Sequence, residues 1–535
     1  MKNNNYKQTE IGEIPQDWSV GRLGNFCEVK GGKRLPKGES FTETKTNHPY
    51  IRIKDITEDG INKSNLLYLT ESTHQKIKRY IINEGDVYIS IVGTIGLSGI
   101  IDKELNGANL TENAARLFNF YGLNSKYLSY FLKSPTGQRQ IKSRTVGSTQ
   151  SKLALFRIND IIFPLAKLEE QQQIASILSS LDDKIELNRK MNKTLEEIGR
   201  ALFKRWFVDF EFPCLLTYGE RTQAFYPELN RYGYKPYGGL PAPEPGKYFV
   251  YVLELENGHH YIGITDFILK RYNEHLTGEG AKYTLQYKPV KVLHWEEYLS
   301  RQEAAAREQW LKTGFGRKWI ARELNAGRLR QAGGEMVESE LGEIPKGWEV
   351  GKLSDLVGNI KVSYKGNNLN DKLPYVPIDE ITSKNLCLTE TADFREAKSS
   401  LIEFQRFDIL FGAMRPYFHK VALAPFEGLT RTTCFILRSK KEEYYSFCVF
   451  KIFDKETINF ATDHSEGSTI PYAKWNNGLS EMPIMVSNKE IANKFNLIIK
   501  PFLLKICDSY FDIKTLIEIR DSLLSRLMSG KLRVN

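Results

Sequence analysis

Residues 9–23 read TEIGEIPQDWSVGRL and residues 339–353 read SELGEIPKGWEVGKL, identical at nine of fifteen positions. Among the shared residues, Ile14, Pro15, Trp18 and Leu23 return as Ile344, Pro345, Trp348 and Leu353. Solenoid repeats run about 20–50 residues, so a period this long means two copies of a whole domain. Later landmarks return in the same order. The strand-like Pro49–Ile53 answers to Leu373–Ile378, Gly85-Asp86-Val87 to Phe407-Asp408-Ile409, and Gly147-Ser148-Thr149 to Gly467-Ser468-Thr469. β-Branched and aromatic runs bounded by Gly, Asp and Asn read as short strands. Between the landmarks the copies differ almost completely, as two readers of different targets should.

A long helix follows each copy. From Leu168 to Phe207 there is no proline, and Gly199 is the one interior break. Ile174, Leu181, Asn188, Leu195 and Leu202 form one row at heptad spacing; Ile177, Lys184, Met191, Ile198 and Arg205 form a second. Such rows make a coiled-coil seam, and Asn188 reads as a buried amide that fixes register. After the second copy, the rows from Phe495 to Leu523 and from Ile499 to Leu527 repeat the pattern. Pro501 is expected to kink that helix or start its main segment, and Gly530 to cap it. At about 60 Å each, the helices are longer than one small domain can cover, which favours an antiparallel spacer between the copies.

The 75 Lys and Arg against 65 Asp and Glu give a net charge of +10, a balance that suits a polyanion such as nucleic acid. The six cysteines include no CxxC pair, which argues against a zinc knuckle or a disulfide framework. The N-terminus lacks an apolar h-region, and no run of about 18 apolar residues exists. A cytoplasmic protein with no membrane partner is expected.

This organisation resembles the specificity subunit of type I restriction-modification systems over nearly everything outside 246–331. The marks are the twin G-E-I-P-x-x-W-x-V openings, the Gly85-Asp86-Val87 strand and its counterpart, and the Gly-Ser-Thr turns. The entry Leu168-Glu169-Glu170-Gln171-Gln172 and the ending Ser529-Gly530-Lys531-Leu532 also match. The resemblance implies an α+β multidomain chain in which two homologous, mostly-β target recognition domains, 1–166 and 332–487, are separated by long antiparallel coiled-coil helices, 167–210 and 488–535. A linker spans 211–245. Each recognition domain would read half of a bipartite site in double-stranded DNA. The helices would dock two methyltransferase subunits, which recruit restriction or motor subunits. No GK[ST] phosphate loop and no NPPY-like tetrapeptide is present, so ATP and S-adenosylmethionine would act only through partners. The base-reading residues carry no motif. Arg52, Lys54, Arg415 and Lys420 lie near strand ends, where phosphate or guanine contacts compete with an ordinary solvated-surface role.

Residues 246–331 interrupt the duplication, with Pro-Gly punctuation before and Gly333-Gly334 after. The segment holds fourteen Lys and Arg against ten Asp and Glu between 247 and 330, and four of the chain's eight histidines: His259, His260, His275 and His294. Two alternating runs, 248–253 and 261–265, flank an Asn-Gly loop and form a hairpin. A helix at 267–276, a strand at 290–295 and a helix at 300–313 follow. This pattern resembles the GIY-YIG nucleases, the small stand-alone branch with H-x-x-G-x-x-x-K-Y-T after the first helix. Here that reads His275 to Thr284, with one extra loop residue. Tyr261-Ile262-Gly263 is intact, whereas Phe249-Val250 stands where the family name has Gly-Ile ahead of Tyr251.

That resemblance implies a small inserted α/β domain that hydrolyses DNA phosphodiesters with Mg²⁺. Arg271 would stabilise charge on the phosphoryl oxygens, and Glu308 would hold the metal. Tyr251, Tyr261 or His275 would orient or deprotonate the attacking water. Glu303 reads as a helix-face neighbour, and the histidines as structural rather than zinc ligands. Two other readings remain: an inactive DNA-binding or docking module, and a mobile endonuclease tolerated in a linker.

Overall fold

The computed structural model describes residues 5–147, 151–210, 212, 240–241, 243–325 (backbone alone at 321–325), 336–365, 373–397, 400–467 and 469–534. Ser148, Thr149, Ser468 and most of the expected linker lie outside the described residues. The chain divides into two compact units, residues 1–189 with 511–535 and residues 190–510. The long helices run Leu168–Phe207 and Lys489–Met528. Each unit takes one part of each helix rather than leaving the helices as segments of their own. Pro501 neither starts nor ends its helix but lies inside it. It sits on an exposed side near exposed Leu497, so the carbonyl it leaves unpaired meets water rather than core.

The sheets show why the copies share a frame. In the first unit the antiparallel order is Ser98–Ile100, Val87–Ser90, Ala114–Phe118, Glu28–Gly31. In the second it is Val421–Leu423, Ile409–Gly412, Cys434–Ser439, Val357–Ile360. Asp86 pairs with Arg116 at 3.5 Å, and Asp408 with Arg438 at 2.6 Å. Each aspartate also accepts the backbone N–H of the residue three before it, Asn83 or Gln405. The turn needs a left-handed residue just ahead of the aspartate: Gly85 has φ 83° and Phe407 has φ 73°. Glycine adopts this freely, whereas phenylalanine is strained there.

The repeated openings are anchors for helix ends. In the first unit buried Trp18 donates its indole N–H to Glu170 at 2.9 Å. Arg533 bonds both Glu170 (2.6 Å) and Asp17 (2.9 and 2.8 Å) and lies over the Trp18 ring. Gly530, at φ 65°, caps the C-terminal helix with its N–H on the Leu527 carbonyl. A Cβ there would run into Pro15. The opening, the Glu170 entry and the Ser529–Leu532 ending therefore converge on one tryptophan. In the second unit Trp348 takes the equivalent role against Phe207, Phe210 and Phe212, with ring centroids at 5.8, 5.5 and 5.4 Å.

The seam of the central helix corrects one expectation. The row through Ile174 and Asn188 is turned inward, and Asn188 is buried as expected. The second row is not: Ile177 is 36% and Ile198 41% exposed. The buried row sits one residue on, at Leu178, Ile185, Gly199 and Trp206. Both choices keep a seven-residue period, and only the packing partners distinguish a three-residue from a four-residue first step. Gly199 lies in this row because Phe450 packs against its backbone. It marks a close approach, not a break.

The insert is a three-stranded antiparallel sheet in the order β2-β1-β3, where β1 is Tyr248–Leu255, β2 His260–Thr265 and β3 Pro289–Tyr298. Its helices are α1 (Ile268–Thr277), α2 (Lys282–Gln286), α3 (Arg301–Lys312) and α4 (Gly314–Asn325). Strand alternation sorts β1 into two faces. Phe249, Tyr251, Leu253 and Leu255 pack with Ile268, Leu269 and Tyr272 of α1. Val250 and Val252 pack with Ala304 and Leu311 of α3 and Ile320 of α4.

Candidate functional site

β1 places Tyr251 opposite Gly263 of β2 and Trp295 of β3. A Cβ on Gly263 would stand 2.5 Å from the Tyr251 hydroxyl, so the glycine of Tyr261-Ile262-Gly263 makes room for that phenol. Tyr251 is 1% and His275 0% exposed. The Tyr251 hydroxyl lies 2.8 Å from His275 Nε2, and His275 Nδ1 lies 2.7 Å from Thr284 Oγ1. Thr284 donates its own proton to the Ala281 carbonyl at 2.8 Å. With that proton on Ala281, its oxygen accepts from Nδ1–H and Nε2 accepts the Tyr251 O–H; the Ala281 N–H also points at Nδ1, at the longer distance of 3.4 Å, and is the weaker, opposing contact. Burial, then the nearby Arg271 charge, holds the His275 pKa down to about 4, so the ring is neutral at pH 7. Gly280 belongs to the same design, since a Cβ there would collide with His275 Nδ1.

Tyr261 lies edge-on to the His275 ring at 4.8 Å and 6.3 Å from the Tyr251 ring. Arg271 pairs with Glu274 at 2.6 Å and reaches the field of Tyr251. Burial pushes the Tyr251 phenol above its ordinary pKa; Tyr261 and Glu308 add to this, and Arg271 opposes it. Glu308 on α3 thus belongs to the same neighbourhood, and its carboxylate pairs with Lys312 at 2.7 Å. All five residues singled out in the sequence come together. Glu303 stands apart as the capping partner of Ser300, whose hydroxyl accepts the Glu303 N–H and reaches its carboxylate at 2.9 Å.

Sequence reasoning missed Thr284 as the group that sets the histidine tautomer, and Glu274 as the partner of Arg271. The first was visible in the K-Y-T match; the second was an i,i+3 pair on a helix. His275 is fully enclosed, with the Tyr251 and Tyr261 rings against it. Among the described residues no three His, Cys, Asp or Glu side chains stand close enough to hold a metal. The donor set near Tyr251 is one carboxylate, Glu308. That suffices for Mg²⁺, which keeps several waters and is often held by one or two carboxylates plus substrate phosphate.

The four cations near strand ends separate into two kinds. Arg52 is held by Asp55 (2.8 and 2.7 Å) and the Asn65 carbonyl (2.6 Å), and Lys420 by the carbonyls of Ile378 (2.9 Å) and Asp379 (3.2 Å). Lys54 and Arg415 are exposed.

The architecture and this tyrosine–histidine site define a duplicated α+β protein carrying a small nuclease-like insert. Residues 15–197 match the type I restriction modification DNA specificity domain, and residues 247–319 match the GIY-YIG catalytic domain. The chain thus carries a DNA specificity domain of the type I restriction-modification kind and a GIY-YIG domain. It is 24% identical to the MjaIX specificity subunit of Methanocaldococcus jannaschii, covering 99% of this chain and 96% of that one. A UPF0213 protein of Streptococcus agalactiae serotype V is also similar, at 45% identity over 64 residues, 12% of this chain and 73% of that one. A solved S subunit from M. genitalium aligns with TM-score 0.45 and 14% identity over 98% of this chain and 97% of that one. No helix among the described residues is long and apolar enough to cross a membrane.

Proposed function

We propose that this chain is the subunit that reads a bipartite DNA site in the cytoplasm, and that its insert hydrolyses phosphodiesters of DNA. Each recognition unit reads one half-site. The long helices pair antiparallel, which the Asp182–Arg520 contact at 3.0 Å supports in one unit and the Trp206–Phe495 contact at 5.5 Å in the other. They dock two methyltransferase subunits, which bring S-adenosylmethionine chemistry and the ATP-driven restriction subunits.

The observation that carries the nuclease reading is the ordered chain from Tyr251 through His275 to Thr284. Water attacks phosphorus while its proton passes to the Tyr251 oxygen. Tyr251 at the same time gives its own proton to His275 Nε2, so no phenolate accumulates in a site that disfavours one. Thr284 holds the Nδ1 proton in place and keeps Nε2 open as the acceptor. Arg271, oriented by Glu274, faces the charge that builds on the non-bridging oxygens. Glu308 is the residue to hold Mg²⁺, which when bound supplies positive charge at the departing oxygen. The bond to that oxygen breaks, and solvent protonates it.

A Mg²⁺-dependent plasmid-nicking assay compares the wild-type chain with Arg271→Ala and Glu308→Ala. Each variant is expected to lose about 10²–10³ in rate, the usual effect of deleting one such electrostatic contact. Equal cutting by all three proteins, or cutting by none, removes the catalytic assignment. Nicks unrelated in position to the methylated sequence favour an independent endonuclease.

A further inference from the structure

In the second recognition unit the chain passes from the strand Val357–Ile360 of one sheet into Val362–Ser363 of the next. A cavity of about 480 Å³ opens beside that crossing, lined in part by Asn359, Lys361, Phe435, Tyr472, Lys474 and Trp475. Both amide atoms of Asn359 are enclosed, yet neither has a hydrogen-bond partner among the described residues; Thr433 Oγ1, next to the lining residues Thr432 and Cys434, is in the same state. Buried polar groups are almost always paired, so an unpaired carboxamide at a cavity wall marks a missing partner.

The first unit shows what this position looks like without the cavity's chemistry. There Leu117 lies between Val87 and Val29 in the sheet; here Leu437 lies between Ile409 and Asn359. Val87 and Ile409 directly follow the duplicated aspartates, which fixes Val29 and Asn359 as equivalents. Likewise Leu153 donates to the Ile91 carbonyl as Ala473 does to Ala413, which makes Leu155 the equivalent of Trp475. In the first unit Leu155 lies over Gly31. The second has replaced valine and leucine by an amide and an indole, where two readers of different sequences should differ.

The adjoining loop points to the same surface. Arg415 and His419 adopt left-handed φ of 49° and 53°, a strain that persists where a site requires it; the first unit has Gly93, at φ 82°, in the place of Arg415. Between them Tyr417 and Phe418 are 50% and 47% exposed. The Arg415 N–H donates to the Pro471 carbonyl at 2.7 Å, and Met414 bridges to Tyr472, which ties the loop to the cavity wall.

We infer that this cavity receives an adenine of the recognised DNA, read by the Asn359 carboxamide. A carboxamide offers a donor and an acceptor side by side, the complement of the adenine N6 and N7 edge. Phe435, Tyr472 and Trp475 supply ring faces for stacking, and Lys361 and Lys474 supply charge for the flanking phosphates. The inference rests on the second unit reading one half-site.

The test maps methylated sequences in cells carrying the full chain and its methyltransferase partner, with wild type, Asn359→Ala and Asn359→Asp compared. For Asn359→Ala, discrimination at one adenine of one half-site is expected to fall about ten- to hundred-fold, with the other half-site unchanged. For Asn359→Asp, which keeps the shape but only accepts, preference at that position is expected to move toward cytosine, whose N4 donates. The inference is overturned if both variants methylate the wild-type sequence unchanged, lose methylation on all sequences alike, or relax in both half-sites. A wild-type chain that directs methylation to no two-part sequence would instead defeat the bipartite reading beneath it.

Discussion

Gly199→Ala tests the packing of the central helix, because helix propensity and tertiary contact give opposite signs. Glycine in a helix interior costs about 0.5–1 kcal/mol relative to alanine, so an exposed site would gain that much. At Gly199 a Cβ would fall 3.0 Å from Cε2 and 3.2 Å from Cε1 of Phe450, and nearer still to Cζ. The ring cannot swing aside freely, since Phe450 is buried with Phe203 at 6.1 Å and Phe495 at 6.5 Å. Forcing a methyl into such a core costs about 1–3 kcal/mol, so the net expectation is a loss of about 1–2 kcal/mol. In a Phe450→Leu background the clash is relieved and the same substitution should stabilise by about 0.5–1 kcal/mol, a coupling of about 2 kcal/mol. Native-state amide exchange of residues 195–207 reads this locally in a multidomain chain that need not unfold in one step. Greater protection for Gly199→Ala in both backgrounds would refute the close approach.

Tyr251→Phe should abolish nicking while leaving duplex binding by the full chain unchanged, and a filter-binding assay beside the nicking assay separates the two. Thr284→Val frees the histidine tautomer and leaves Nδ1–H unpaired, at a cost of about 1–3 kcal/mol; its nicking rate should fall while KM stays constant. Because the folded chain holds His275 down to about 4 against its ordinary 6.5, the unfolded chain takes up a proton first as pH falls. Stability present above about 6.5 is then lost toward pH 4, by about 3 kcal/mol at most, and His275→Gln should flatten the insert's acid melting curve. Arg438→Met leaves Asp408 as a buried unpaired charge and should destabilise the second unit by about 3–5 kcal/mol, with Asp408→Asn in the same chain recovering part of it in a denaturant titration.

Much of this was legible in the residues, for identifiable reasons. The Trp18 and Trp348 openings showed because an anchor that must fit a helix end tolerates few substitutes. Tyr251, Tyr261, Arg271, His275 and Glu308 showed because their spacing resembles that of the GIY-YIG nucleases, and the fold brings them into one neighbourhood. The ends of the central helix were readable from the absence of proline. Its second buried row was not, since Ile177 and Leu178 are equally apolar and only Phe450, distant in sequence, selects the face containing Gly199. Thr284 and Glu274 were harder still, because their roles lie in fixing a tautomer and an orientation rather than in touching a substrate.

The duplicated frame and its divergent filling can be separated residue by residue. Asp86 with Arg116 and Asp408 with Arg438 preserve one turn through copies that otherwise share little, even at the cost of a left-handed Phe407. The ladder register is common to both copies, Val87 opposite Leu117 and Ile409 opposite Leu437, although the two arginines come from different steps of it, and register decides which side chain faces which neighbour. The positions at the edge of the ladder are then available to vary without disturbing the fold: Val29 in one copy, Asn359 beside Trp475 in the other. A protein that must change its target while keeping its partners needs this separation. The turn aspartates and the tryptophan anchors hold the common frame, while a ladder position at the sheet crossing carries the part that can be rewritten.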